Sequence, residues 1–289
     1  MDRRNFVKTL GIIGASTLPG TSLYADGTEN EKEFVAILVD TTRCVGCQSC
    51  TEACAEANNL SEPDLDAIDE GIERNTSEKQ WTLVNKFDVN EEEIFVKKQC
   101  MHCNQPACAT ACPTKALIKT EEGPVIWRAD KCMGCRFCMV SCPFEMPKFE
   151  YDSPNPKIQK CRMCFERLQE GEAPACVSEC PEEAIVFGKR RDLIKEARKR
   201  IYENPDLYHD HIYGEHEVGG TGYLYLSSVP FEQIGMRTDL GATPYPAYTK
   251  TFLYSVPVVL TLWPAFLLAL NKATKRDVAD SEGEIYHDA

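Results

Sequence analysis

The sixteen cysteines of this chain fall into four groups of four, with none left over. Cys44, Cys47, Cys50 and Cys54 read C-x2-C-x2-C-x3-C, and Cys132, Cys135, Cys138 and Cys142 repeat that spacing with Pro143 behind them. Cys100, Cys103, Cys108 and Cys112 read C-x2-C-x4-C-x3-C before Pro113, and Cys161, Cys164, Cys176 and Cys180 widen the middle gap before Pro181. Three thiolates on one tight loop can each reach a different iron of a cubane, and the fourth ligand comes from elsewhere. In two-cluster ferredoxins the fourth cysteine of each run serves the other cluster. Four complete sets therefore predict four [4Fe–4S] clusters and a conduit for electrons.

Zinc and disulfides compete for the same residues. Zinc fits C-x2-C pairs, but it needs neither a third cysteine at C-x2-C-x2-C nor a trailing proline. The proline fixes φ and removes an amide donor, as the end of a ligand loop requires. Cys54 is followed by Ala55 instead, so its loop is expected to be less defined. No C-x2-C unit is followed by histidine, which excludes covalent c-type haem at these sites. There is no phosphate-binding or dinucleotide-binding glycine string, so the chain alone is expected to make no bonds and to be non-catalytic. His102, between two of the cysteines, is expected to tune its cluster by hydrogen bonding rather than to ligate it. His209, His211 and His216 lie in a Tyr-, His- and Gly-rich stretch, and scattered loop histidines are read as surface residues.

The elements that must position these motifs are short. A strand is expected over Glu33–Val39, entering the first motif. Ala55–Lys98 reads as an acidic, polar insertion with Trp81 and a strand-like piece at Ile94–Lys97, its role not legible. A strand pair is expected at Ala116–Lys119 and Pro124–Arg128, and another strand at Ala184–Phe187. Asp192–Glu203 reads as a helix capped by Asp192, with Leu193, Ala197 and Ile201 on one face. These pieces fit a small α+β ferredoxin unit, repeated.

The two ends bear on location. Arg3 and Arg4, then Phe6 and Lys8, precede a mild apolar stretch from Leu10 to Leu18, with Ala25 as a cleavage edge; this reads as a twin-arginine export segment over 1–25. Export of a chain already folded around its clusters would spare its thiols an oxidising compartment. Thr251–Leu270 is uncharged for twenty residues, long enough to cross a bilayer as a helix, and Pro257 and Pro264 are tolerated in such helices. The competing reading is a buried core helix. Lys272, Lys275 and Arg276 follow and mark the 271–289 tail as cytoplasmic. Net charge is −13, and no basic stripe with interleaved aromatics occurs, so no nucleic-acid partner is expected.

The runs RCVGCQSCTEAC, KKQCMHCNQPACATACP, KCMGCRFCMVSCPFEMPKFEYDSPNPKIQKC and YGEHEVGGTGYLYLSSVPFE, with MDRRNFVK at the start, resemble the four-cluster ferredoxin-type subunits of the DMSO-reductase iron–sulfur family. Within it they are most similar to the HybA-type subunit of membrane-bound [NiFe] hydrogenase-2. The resemblance covers nearly the whole chain. It implies two tandem double-cluster (2×[4Fe–4S]) ferredoxin-like units in a pseudo-twofold arrangement, the four-cluster domain spanning 33–190, followed by a helix and extension over 191–250 and a transmembrane helix over 251–270.

Carried over residue by residue, cluster 1 takes Cys44, Cys47, Cys50 and Cys180, and cluster 2 takes Cys54, Cys161, Cys164 and Cys176. Cluster 3 takes Cys100, Cys103, Cys108 and Cys142, and cluster 4 takes Cys112, Cys132, Cys135 and Cys138. Some relatives have tryptophan at the position of Cys132 and hold a three-iron cluster; here four irons are expected. The resemblance also implies a hydrogenase catalytic subunit, an integral quinone-reactive membrane subunit and the lipid bilayer as partners, at the periplasmic face of the membrane. The alternatives are the same role beside a molybdopterin oxidoreductase, a structural zinc-binding adaptor, and a free periplasmic ferredoxin, which the terminal helix disfavours.

Overall fold

A computed structural model of the protein describes residues 33–284 apart from 71, with side chains described except at 69, 70 and 275–284. The export segment expected over 1–25 and the end of the tail lie outside the described residues.

The fold is organised by one central strand. β1 (Val35–Asp40, VAILVD) pairs antiparallel with β8 (Ile185–Lys189) and parallel with β9 (Tyr223–Leu226), giving the order β8-β1-β9. Its five residues from Ala36 on are all buried, since a strand covered on both faces reads as a continuous apolar run rather than an alternation. β1 runs on into Cys44, and β8 begins shortly after Cys180. Their pairing, extended by the Asp40 amide donating to the Ala184 carbonyl at 2.8 Å, brings the first and fourth motifs together.

Hairpins fill the gaps between successive motifs. β2 (Leu83–Val89) with β3 (Glu92–Lys98) separates motifs one and two, β4 (Leu117–Lys119) with β5 (Val125–Trp127) separates two and three, and β6 (Lys148–Phe149) with β7 (Ile158–Gln159) separates three and four. The β4–β5 pair lies where the sequence predicts it. The 55–98 stretch is more ordered than its composition suggests: it carries the hairpin β2–β3, two strands of seven residues each, with Trp81 buried beside it. Asn90 and Glu91 form its two-residue turn, both with positive φ (52° and 67°), as a type I′ turn requires.

Helix α1 (Ser49–Ala57) corrects the expectation for Cys54. That cysteine is held within a nine-residue helix that continues to Ala57, because Ala55 extends the helix where a proline would mark a loop end. α2 (Ala107–Thr110), α3 (Phe137–Ser141), α4 (Phe165–Gln169) and α5 (Ala175–Ser178) are single turns inside or beside the motifs.

α6 (Arg190–Glu203) covers the sheet, packing Leu193, Ala197 and Ile201 against Ala36, Leu38, Leu224 and Leu226. Asp192 does not cap it: the helix starts two residues earlier, and Asp192 lies in the first turn, where its charge favours the N-terminus. Arg200 of α6 reaches back to the fully buried carboxylate of Asp40 at 2.9 Å, and Tyr208 donates to the same oxygen at 2.8 Å.

The Tyr- and Gly-rich stretch expected as an extension supplies β9 and therefore part of the core. Tyr213, Tyr223 and Tyr225 are all buried there. α7 (Tyr245–Glu284) runs through Pro257 and Pro264 without interruption. Over Tyr245–Thr274 it is long and apolar enough to cross a membrane, and its most apolar 18-residue stretch is left unburied by the rest of the described chain. That exposure is the opposite of what a buried core helix shows.

Candidate iron–sulfur centres

All four motifs share one backbone device. The residue before the second cysteine is left-handed in each: Gly46 (φ 71°), His102 (48°), Gly134 (70°) and Met163 (56°). Such a residue reverses the chain, so that the flanking thiols face one point. A Cβ on Gly46 would meet Phe95 Cδ1 at 2.4 Å, so glycine is needed there for space as well. The three Cys-Pro pairs share a second device: Lys115, Glu145 and Glu183, each three residues past the fourth cysteine, donate back to the carbonyls of Cys112, Cys142 and Cys180 at 3.2, 3.2 and 3.3 Å.

These loops gather the cysteines into quartets that cross the sequence. Cys44, Cys47, Cys50 and Cys180 line one small cavity with Val39, Val84 and Ile185. Cys54, Cys161, Cys164 and Cys176 line a second, with Trp81, Met163 and Tyr223. Cys112, Cys132, Cys135 and Cys138 line a third, with Leu117, Trp127 and Ile158. Cys100, Cys103, Cys108 and Cys142 are the remaining neighbours: burial pushes the Cys103 thiol well up, and charge on Cys100, Cys142 and Cys108 pushes it the same way.

The quartets also follow one another. Cys50 of the first feels Cys176 of the second, Cys161 of the second feels Cys100 of the next, and Cys108 of that set feels Cys138 of the last.

The donor sets fit a cubane better than a single ion. Tetrahedral zinc draws its sulfurs to about 2.3 Å from the metal. Among the described residues no group of three or more His, Cys, Asp or Glu closes to hold one ion. Instead, each of the three lined cavities is walled by four cysteines, several apolar side chains and a few polar ones, among them Lys97 in two of the three.

Burial holds most thiols protonated until a group is bound: the Cys50 and Cys161 thiols are pushed up to about 12, and those of Cys138 and Cys142 to about 11. Cys112 departs from this. Its slight burial pushes its pKa up, but hydrogen bonds from the amides of Leu117, Ala116 and Thr114 and from the Thr114 hydroxyl outweigh it, and the pKa falls. Loading thus releases protons and draws on donors already aimed at sulfur. Those donors include the Ala116 amide to Cys112 Sγ at 3.2 Å, the Met163 amide to Cys161 Sγ at 3.4 Å and Asn58 Nδ2 to Cys54 Sγ at 3.7 Å.

His102 is fully buried, and its Nδ1 accepts the Val125 amide at 2.8 Å. Burial first, then Lys160 and Lys119, hold its pKa well below the usual range, so the ring is neutral with its proton on Nε2. His211 pairs with Glu217 at 2.7 Å, and Glu217 also accepts the Gly214 amide at 2.7 Å, so this contact shapes a loop. His209 packs edge-on to Phe231, and His216 is exposed.

Three lysines near the cysteines were not legible as site residues: Lys97, Lys119 and Lys160. Lysine is rarely buried, and only the contacts of the folded chain reveal these. Their one signal in sequence is position, since Lys97 and Lys160 stand just ahead of Cys100 and Cys161.

Residues 92–190 match the model of the 4Fe-4S dicluster domain family. A protein of Nitratidesulfovibrio vulgaris (strain Hildenborough) is 43% identical, over 96% of this chain and 78% of its own length. Hydrogenase-2 operon protein HybA of Escherichia coli O157:H7 is 35% identical, over 97% of this chain and 98% of its own. The formate dehydrogenase iron-sulfur subunit of Haemophilus influenzae is 32% identical, over 76% of this chain and 72% of its own.

Proposed function

The chain belongs to the family of ferredoxin-type iron–sulfur subunits that includes HybA and the formate dehydrogenase iron-sulfur subunits, and from that premise we propose that it is the electron-transfer subunit of a membrane-bound, periplasm-facing oxidoreductase, linking a [NiFe] hydrogenase to the quinone pool. The observation that carries this reading is the likeness to HybA over nearly the full length of both chains. The crossed quartets support a ligand assignment of Cys44, Cys47, Cys50 and Cys180; Cys54, Cys161, Cys164 and Cys176; Cys100, Cys103, Cys108 and Cys142; and Cys112, Cys132, Cys135 and Cys138. Bound there, four [4Fe–4S] clusters would each carry one electron at a time.

The residues of this chain do the rest. They hold the thiols, keep water from the inner quartets, and set the quartets in a series in which each has a near neighbour. At the end of the series Phe137 and Val140 are exposed, and they share an apolar groove with Tyr248, Phe252 and Leu253 of α7. That end therefore adjoins the helix we read as a membrane anchor, which suits delivery to an integral quinone-reactive subunit. Twin-arginine export and the cytoplasmic tail belong to the same reading.

A second reading keeps the chain's role and makes the catalytic partner a molybdopterin enzyme; the likeness to formate dehydrogenase subunits favours it. Anaerobic purification of the chain from membranes with its native partners, followed by mass spectrometry, decides. Co-purification of a nickel-ligating large subunit with paired C-x2-C motifs is the expected result. A molybdopterin-binding subunit in its place would establish the second reading.

A further inference from the structure

Lys97 is the most deeply buried charge near the cysteines that the family resemblance leaves unexplained. It stands in β3, only 2% exposed, and lines both the Cys44–Cys47–Cys50–Cys180 cavity and the Cys54–Cys161–Cys164–Cys176 cavity. Nζ donates to Gln99 Oε1 at 2.9 Å and to the Thr82 hydroxyl, and it lies 5.8 Å from the centre of the Tyr223 ring. Neither hydrogen-bond acceptor is charged. Among the described residues no carboxylate pairs with Lys97.

An ammonium taken out of water without a counter-ion is strongly unfavourable. The groups that act on it as negative charges once they are thiolates on a cluster are Cys176, Cys50, Cys161 and Cys54, drawn from both quartets. The compensating charge for Lys97 is therefore the pair of thiolate sets it separates.

We propose that Lys97 is a positioning residue that raises the reduction potentials of the two clusters held by these outer quartets, acting as their shared counter-charge. The inference rests on the four-cluster reading above. Reduction of either centre adds one electron, supplied by the catalytic partner or in the laboratory by dithionite, and moves no proton at Lys97, which is an ammonium before and after. Each added negative charge is stabilised by a fixed positive one in a medium that water does not screen. Electrons are thereby held on that pair, and Lys97 acts on both of its centres because the residue lines both cavities.

The test is an EPR-monitored redox titration of the purified complex carrying Lys97→Met, Lys97→Gln or Lys97→Arg. Lys97→Met and Lys97→Gln should make two of the four centres at least tenfold harder to reduce, with tenfold corresponding to about 59 mV for a one-electron couple. The other two should stay in place, and Lys97→Arg should restore the pair. Loaded Lys97→Met protein with all four potentials unmoved would overturn the proposal, as would a uniform shift of all four, or Lys97→Arg behaving as Lys97→Met does. Loss of iron in both neutral variants would assign Lys97 to assembly and overturn it as well. Iron and sulfide counts on the unsubstituted complex test the four-cluster reading separately, so the two failures are distinguishable.

Discussion

The amide of Asp40 donates to the carbonyl of Ala184 at 2.8 Å, tying the lead-in of the first cysteine motif to the lead-out of the fourth, 144 positions apart. Motifs that are outermost in sequence thus become neighbours in space, and the two quartets they share cross because the sheet closes there.

Crossing has a direct consequence for Cys54. The structure sets it with Cys161, Cys164 and Cys176, although it follows Cys50 by one helical turn. Cys54→Ser should alter the EPR signal of the centre held by the fourth motif and leave the one beside it in sequence unchanged. Loss of only the Cys44 centre in that variant would refute the assignment.

Gly46 and Gly134 occupy equivalent positions with the same φ but different surroundings. At Gly134 a Cβ meets only Phe149 Cε2 at 4.0 Å, so Gly134→Ala carries mainly the left-handed penalty of about 1–2 kcal/mol. At Gly46 the Phe95 ring must also move, adding about 1–3 kcal/mol. Iron release to a chelator should therefore be faster from Gly46→Ala than from Gly134→Ala, and equal rates would contradict the packing argument.

The buried pair of Asp40 and Arg200 pins α6 to β1. Arg200→Ala leaves the buried Asp40 carboxylate with Tyr208, Thr42 and the more distant, half-exposed Arg43 (3.9 Å) as partners, at a cost of about 3 kcal/mol. Protection of the β1 amides in native-state hydrogen exchange should fall accordingly. The double variant Asp40→Asn with Arg200→Ala should lose less than the two single variants together. Strict additivity would mean that the pair is not coupled.

The sequence made the ligands and the terminal helix plain, because cysteine spacing and an uncharged run depend on local chemistry alone. It also indicated β4, β5 and α6. It did not reveal β2, whose hairpin turn uses Asn90-Glu91 where Asn-Gly would have announced it, nor β9, whose pairing with β1 is a long-range event. Gly46 and Gly134 signalled left-handed turns; His102 and Met163 perform the same task without the glycine that would have marked it. Lys97 was out of reach for a different reason. Its burial is set by two cavities assembled from the first and fourth motifs, and no local pattern encodes that.

The anchor is tested by truncation. A chain ending at Lys250 keeps every cysteine and loses the apolar run of α7. It should be soluble and brown, and should deliver electrons to quinone more slowly, while the catalytic partner stays active with artificial dyes. Full membrane retention and full quinone reduction by the truncated form would assign attachment to another subunit.

The most direct test of the central claim is a count of iron, acid-labile sulfide and zinc on anaerobically purified protein, with EPR of the dithionite-reduced sample. Sixteen cysteines in four crossed quartets predict about sixteen irons and as many sulfides per chain, with signals of interacting [4Fe–4S] centres. About four zincs with no sulfide would contradict it, and the chain would then be a structural metal protein.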